Sequence, residues 1–201
     1  METPRLEITR LDQLDRTQQY TYADYLHWQI EDRLELIRGY VFEMASPNRR
    51  HQRILGNLFV NTANYLKGKT CEVYQAPFDV RLPRHNRKAD EKVFTVVQPD
   101  LCVICDPEKL DDAGCIGAPD WVVEVLSKGN SKKEMKAKFA AYEEAGVREY
   151  WVVQPEYSNV LVYALENGRF MAHPTLTDDD IAATPTIFPE LTINIAELFA
   201  D

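Results

Sequence analysis

The chain has 201 residues, of which 45% are hydrophobic and 27% charged, the profile of one ordinary globular domain with a sizeable core. No run approaches the roughly 18 apolar residues of a membrane span, and the polar, mixed-charge stretch 1–19 is not a signal peptide, so the cytoplasm is the expected compartment and a membrane is not an expected partner. A formal net charge of −9 leaves any attraction to nucleic acid to local basic patches.

In chain order, Thr21 is an N-cap with Asp24 three residues on, opening a short helix through Tyr22, Tyr25 and Leu26. The apolar runs Leu34–Ile37 and Tyr40–Met44 flank Arg38-Gly39 and predict a hairpin. From His51 to Lys67, Ile54, Leu55, Leu58, Phe59, Ala63 and Leu66 recur at helical spacing, and Gly68 ends the helix. Strands are expected at Cys71–Tyr74 and Phe78–Leu82, and across Phe94–Cys105 with a break at Pro99. Pro83–Lys92 is a basic loop carrying Arg84, His85, Arg87, Lys88 and Lys92, and Asp106–Pro119 is a second loop. Trp121–Leu126 is nearly all apolar, as in a strand covered on both faces. A helix follows from Lys132 to Ala145, stopped by Gly146. Three strands are expected next, at Tyr150–Gln154, Asn159–Leu165 and Arg169–Ala172, the last two joined by the strong hairpin turn Asn167-Gly168. The tail, Ile187–Phe199, carries an apolar segment and a final helical turn. No repeat, low-complexity tract or linker divides the chain, so it reads as a single α/β or α+β domain around a central mixed sheet flanked by helices: an N-terminal extension over 1–19, a core over about 20–170 and a C-terminal segment over 171–201.

Two acids stand out. Asp100 opens one apolar run and Glu124 lies inside another, and a carboxylate amid Val and Leu is costly to bury without a partner. Their separation lets one antiparallel strand pair bring them together, and period two puts Val122, Glu124 and Leu126 on one face. Two carboxylates with phosphate oxygens and water make a typical Mg²⁺ shell. The competing reading is that Asp100 caps a turn and Glu124 pairs with a buried Lys or Arg. The four cysteines, Cys71, Cys102, Cys105 and Cys115, are expected as reduced thiols. Cys102 and Cys105 have CxxC spacing, but residues three apart on a strand point to opposite faces, which argues against zinc.

Pro99-Asp100 followed by Val122-Val123-Glu124-Val125-Leu126-Ser127 resembles the PD-(D/E)XK nuclease signature. With Tyr22–Leu26, Leu34–Gly39, His51–Ile54, Gln98–Leu101 and Lys138-Phe139 through Gly146–Trp151, the chain is similar over about residues 20–170 to the Uma-two-like family of restriction endonucleases. The resemblance implies a restriction-endonuclease-like core and endonucleolytic hydrolysis of DNA phosphodiester bonds with Mg²⁺ or Mn²⁺. It implies that Asp100 and Glu124 hold the metal, with Glu35 directly or through water. The superfamily's Lys two residues after the Glu is replaced here by Leu126, and in this branch the resemblance moves it to Lys138, which would orient or deprotonate the attacking water or neutralise the transition state.

At 100° per residue Met135, Phe139 and Tyr142 form the expected buried stripe, with Lys138 flanking it and partly exposed, and with Lys133 and Lys136 pointing away. Ser127-Lys128-Gly129 and Glu134 also depart from the family's usual residues. Arg84, Arg87, Lys88 and Lys92, with His51 beside Arg49, Arg50 and Arg53, are the candidate contacts to a phosphate backbone, although loop charge is ordinarily just solvated and a lone His is ordinarily structural. A nuclease-like module that binds nucleic acid or a protein partner without cutting is the alternative. The assembly is left open, with a homodimer as one option.

Overall fold

The computed structural model describes residues 7–84, 89–127 and 129–200. Helix α1 (Tyr22–Tyr25) starts on the expected capping box, Thr21 and Asp24 each accepting the other's backbone N–H. Strands β1 (Leu34–Ile37) and β2 (Tyr40–Glu43) form the predicted hairpin. Its turn needs left-handed backbone at both Arg38 (φ 54°) and Gly39 (φ 84°). A Cβ at Gly39 would meet Gln19 Cβ at 2.7 Å, so only glycine fits there.

Helix α2 (Arg49–Leu66) is capped by Asn48 and turns His51, Ile54, Leu55, Leu58, Thr62 and Leu66 inward. The middle of the chain supplies β3 (Glu72–Gln75), β4 (Val80–Arg81), β5 (Val96–Val97) and β6 (Leu101–Ile104). The loop expected over Asp106–Pro119 contains a hairpin, β7 (Leu110–Asp111) and β8 (Gly114–Ile116). It forms because β8 pairs in parallel with β4, and Arg81 of β4 forms an ion pair with Asp111, contacts far apart in sequence. Then come β9 (Trp121–Val125), α3 (Lys132–Ala145), β10 (Glu149–Gln154), β11 (Asn159–Glu166) and β12 (Arg169–Ala172), close to expectation. The chain ends in β13 (Ala182–Ala183), β14 (Ile193–Asn194) and α4 (Ile195–Phe199).

The central sheet runs β12-β11-β10-β9-β6-β3 and is mixed: β9 and β10 are parallel, joined through α3, and the other pairs are antiparallel. A second sheet, β2-β1-β5-β4-β8-β7, carries the first hairpin. Period two divides β9 between two cores. Trp121, Val123 and Val125 pack with Ile54, Leu55 and Leu58 of α2 and with Leu198 and Phe199 of α4. Val122 packs on the other side with Tyr142 and Ala141 of α3 and with Ile37 and Val80 of the second sheet. All five residues of β9 are buried, as a strand covered on both faces requires.

The tail joins the first core through Ala183, Phe188, Leu191, Ile193, Ile195, Leu198 and Phe199. It is clipped there by Glu149, fully buried in β10, which accepts hydrogen bonds from Trp151 Nε1 (2.6 Å), Thr186 Oγ1 (2.5 Å) and the Ile187 N–H (3.1 Å). The expectation of four free thiols is corrected: Cys71 and Cys105 form a disulfide, and Cys102 and Cys115 are free and buried. The reason is register, since pairing of Glu72 with Ile104 sets Cys71 and Cys105 side by side at the end of the β3–β6 ladder. No helix among the described residues is long and apolar enough to cross a membrane.

Leu198 tests how far the tail belongs to this core. It is 1% exposed, so Leu198→Ala should cost about 2–5 kcal/mol and lower the urea midpoint with the slope unchanged. A midpoint equal to the parent's would mean that α4 is not part of the cooperative unit.

Candidate active site

The β6–β9 ladder builds the site. Leu101 pairs with Val123 and Cys102 with Val122, which sets Asp100, just before β6, opposite Glu124. Asp100 Oδ2 accepts the Val125 N–H at 2.8 Å and lies 3.1 Å from His51 Nε2. His51 is 6% exposed, and its own N–H is held by the Asn48 cap. Because a carboxylate only accepts, Nε2 must carry the proton in this contact. His51 Nδ1 is buried without a hydrogen-bond partner among the described residues.

Glu124 faces α3. Lys138 Nζ lies 3.0 Å from Glu124 Oε1 and 2.9 Å from Glu35 Oε1, and the Tyr142 hydroxyl donates to Glu124 Oε1 at 2.7 Å. Glu35, on β1 and 0% exposed, also accepts the Gln98 N–H on Oε1 at 2.8 Å, while its buried Oε2 has no hydrogen-bond partner among the described residues. Gln98 continues the network, donating to Asp79 Oδ1 at 2.9 Å and accepting from Arg33.

The expected stripe on α3 is corrected. Glu134, Lys138, Ala141 and Tyr142 are the buried residues, and Met135 and Phe139 are only partly buried. Lys138 is 4% exposed, not a flanking, half-solvated side chain. Two carboxylates compensate its charge, which lets the helix turn it inward. Its ion pairs go to Glu35 and Glu124, whereas Asp100 is engaged by His51.

Burial pushes the Glu124 carboxyl from 4.5 up to about 8, helped by Asp100 and Glu35 and opposed by the Lys138 charge. Burial likewise raises Glu35, against the pull of Lys138. For Lys138 burial works against the ammonium, but the charges of Glu124 and Glu35 outweigh it and hold the group well above the ordinary lysine range. Lys138 is therefore a fixed cation at neutral pH. Tyr142 is raised well above its ordinary value by burial and by the two glutamates, and stays a neutral donor.

The model of the family Uma2, described as putative restriction endonuclease, matches residues 22–196. The chain belongs to that family. A solved structure with the same fold is a putative nuclease belonging to DUF820 from Anabaena variabilis, at 19% identity and TM-score 0.70, covering 90% of this chain and 98% of that one. At that identity the likeness speaks for the restriction-endonuclease-like fold alone. None of the curated proteins matches.

In this Uma2 chain, then, Glu35, Glu124 and Lys138 come together, and Asp100 stands opposite Glu124 in the ladder with His51 and the Val125 N–H on its Oδ2. The expected phosphate contacts are more dispersed. His51 is inside, on Asp100, rather than at the surface. Arg84 is exposed and bonded to Glu144 at 3.2 Å, and Lys92 is exposed at the end of the short turn Asp90–Lys92. Arg87 and Lys88 lie outside the described residues. Gln98 and Tyr142 were not among the expected site residues. Each had a local sign: Gln98 sits two before Asp100, and Tyr142 lies one helical turn beyond Lys138.

Two measurements probe the cluster. Glu124 holds its proton more tightly folded than unfolded, so its stabilising contribution is complete below 4.5 and is lost as pH rises through about 8. The melting temperature should fall over that window, and Glu124→Gln should make the fall shallower. Lys138→Met leaves two buried carboxylates facing each other without a cation. Above about pH 8, where Glu124 gives up its proton, it should cost about 3–5 kcal/mol in urea unfolding, and less at lower pH, where the carboxyls hold their protons. Equal losses at both would mean that packing, not charge, is what Lys138 supplies.

Proposed function

We propose that this protein is a Mg²⁺- or Mn²⁺-dependent endonuclease that hydrolyses DNA phosphodiester bonds in the cytoplasm. The observation that carries the reading is the opposition of Asp100 and Glu124 across the β6–β9 ladder, with Lys138 on Oε1 of Glu124. Family membership supports the same reaction class.

The residues fit a hard divalent ion of the kind bound through one or two carboxylates, with phosphate and water completing the shell. Among the described residues no three His, Cys, Asp or Glu side chains are disposed to share an ion. Asp100 and Glu124 would be the pair that holds it. Glu35 gives one oxygen to Lys138 and Gln98 and keeps the other, Oε2, unpartnered and buried, so its part would be indirect. Bound there, the ion would supply Lewis acidity and a more acidic water.

The chain's own residues do the rest. His51 and the Val125 N–H fix the Asp100 carboxylate. Glu35 anchors Lys138, whose ammonium is held protonated and so serves as a charge that stabilises the phosphorane-like transition state, not as the base that takes a proton from water. Tyr142 orients Glu124 by donating to it. The basic loop of Arg84, Arg87, Lys88 and Lys92 would meet the phosphate backbone.

The test is incubation of pure protein with supercoiled, linear and single-stranded DNA, with Mg²⁺, Mn²⁺ or EDTA. Cleavage is expected with either ion and not with EDTA. Asp100→Asn, Glu124→Gln and Lys138→Met should each lose on the order of 10²-fold or more in rate. Lys136→Ala, exposed on the same helix, should cut like the parent. Divalent ions should also raise the melting temperature of the parent more than that of Asp100→Asn. Absence of cleavage with either ion, alongside DNA binding, would replace the enzyme by a binding module.

A further inference from the structure

Between the first hairpin and α3 lies a cleft of about 300 Å³ that the proposed chemistry does not use. Its floor is made by Tyr40 and Phe42 of β2 with Ala137 of α3, and its rim by Arg16, Arg38 and Lys133. The placement follows from register. Phe42 pairs with Glu35 and Tyr40 with Ile37, so period two puts both rings on the face that carries Glu35, and Ala137 immediately precedes Lys138. The cleft thus lies beside the buried Glu35 and Lys138, which do not themselves line it.

Three features of the cleft bear on what it holds. Tyr40 is 44% exposed, an aromatic ring left in water although the same sheet buries Leu36 and Ile37. Lys133 Nζ stands 5.8 Å from the Phe42 ring centre and makes no ion pair among the described residues. Among the described residues, the other two rim cations pair with exposed acids: Arg16 lies 3.9 Å from Glu43, and Arg38 lies 3.1 Å from Glu144. Glu144 is shared with Arg84 at 3.2 Å, so the rim runs on to Arg84. On a chain of net charge −9, a string of cations around an open ring face selects a polyanion that has flat rings to offer.

We infer that this cleft is a subsite for one unpaired nucleotide of single-stranded DNA, its base stacked on Tyr40 and Phe42 and its phosphates on Arg16, Arg38 and Lys133. The inference rests on the nuclease reading above and deepens it. A duplex keeps its base faces in the stack, so only an unpaired or frayed strand can present one here. At about 300 Å³ the cleft is at the small end of ligand sites, the right scale for one base and its sugar.

The test measures binding, in EDTA so that nothing is cut, by fluorescence anisotropy of a labelled oligothymidylate, the same strand with abasic spacers, and a duplex. The parent should bind the single strand more tightly than the abasic strand or the duplex. Tyr40→Ala should weaken single-strand binding about 5- to 100-fold and leave the abasic strand and the duplex nearly unchanged. Arg16→Ala with Lys133→Ala should lower the salt dependence of single-strand binding by about 1.4 in slope. Parent-like binding by these variants, or equal affinity of the parent for the abasic strand, would overturn the subsite, the second result leaving only a charged surface. Cleavage assayed separately keeps the two readings apart. A parent that cuts while Tyr40→Ala binds like it defeats the subsite alone, and a parent that binds through Tyr40 but cuts with neither ion defeats the nuclease reading alone.

Discussion

A buried lysine between two buried glutamates is the constraint on which this structure turns. Lys138, Glu35 and Glu124 come from α3, β1 and β9, so their meeting locks the first hairpin, the central sheet and the crossover helix into one arrangement. Such a cluster is a poor way to gain stability. Desolvating three ionisable groups offsets most of their attraction, and apolar residues of similar volume would hold as well or better. Burial of this kind keeps the ammonium protonated and aimed at two carboxyls, one of them raised to about 8.

Two buried glutamates in adjacent strands make the point by contrast. Glu149 of β10 is 0% exposed, and both its oxygens are taken up by neutral donors from Trp151, Thr186 and Ile187. It is a strut that ties the tail to the sheet. Glu124 of β9 is 7% exposed and faces a cation, a tyrosine and two other carboxylates, and its pKa is displaced to about 8. Equal burial therefore does not mean equal role: neutral donors satisfy an acid, whereas nearby charges of both signs keep it responsive.

The acidic balance of the chain also takes on a geometric meaning. Carboxylates gather at the end of the β6–β9 ladder, and Arg16, Arg38 and Lys133 stand around the adjoining hairpin, with Arg84 sharing Glu144 with Arg38. A polyanion approaching such a surface is drawn to the basic rim and repelled from the acids until positive charge is supplied there. The −9 total hides this separation, because it adds charges that act at different places.

How much of this could be read from the residues depends on the range over which each feature is decided. Turn chemistry, capping and hydrophobic period act within a few residues, so the first hairpin, α3 from Lys132 to Ala145, β9 and the Asn167-Gly168 turn were legible in the chain itself, and so was the opposition of Asp100 and Glu124 once their strands were taken as an antiparallel pair. Packing between distant segments decided the rest. Helical period alone placed Lys138 at the edge of an apolar stripe; only the arrival of Glu35 from another sheet made its burial affordable and rotated the stripe to Glu134, Lys138 and Tyr142. His51 reads as a surface residue among arginines until the N-terminus of α2 is laid against Asp100. The β7–β8 hairpin and the Cys71–Cys105 bond likewise exist because remote strands come into register, β4 with β8 and β3 with β6. The sequence determined the elements that rest on local sterics and spacing, and the two acids; the tertiary structure decided the β7–β8 hairpin and which charges meet, since a charge can be buried only where another part of the chain compensates it.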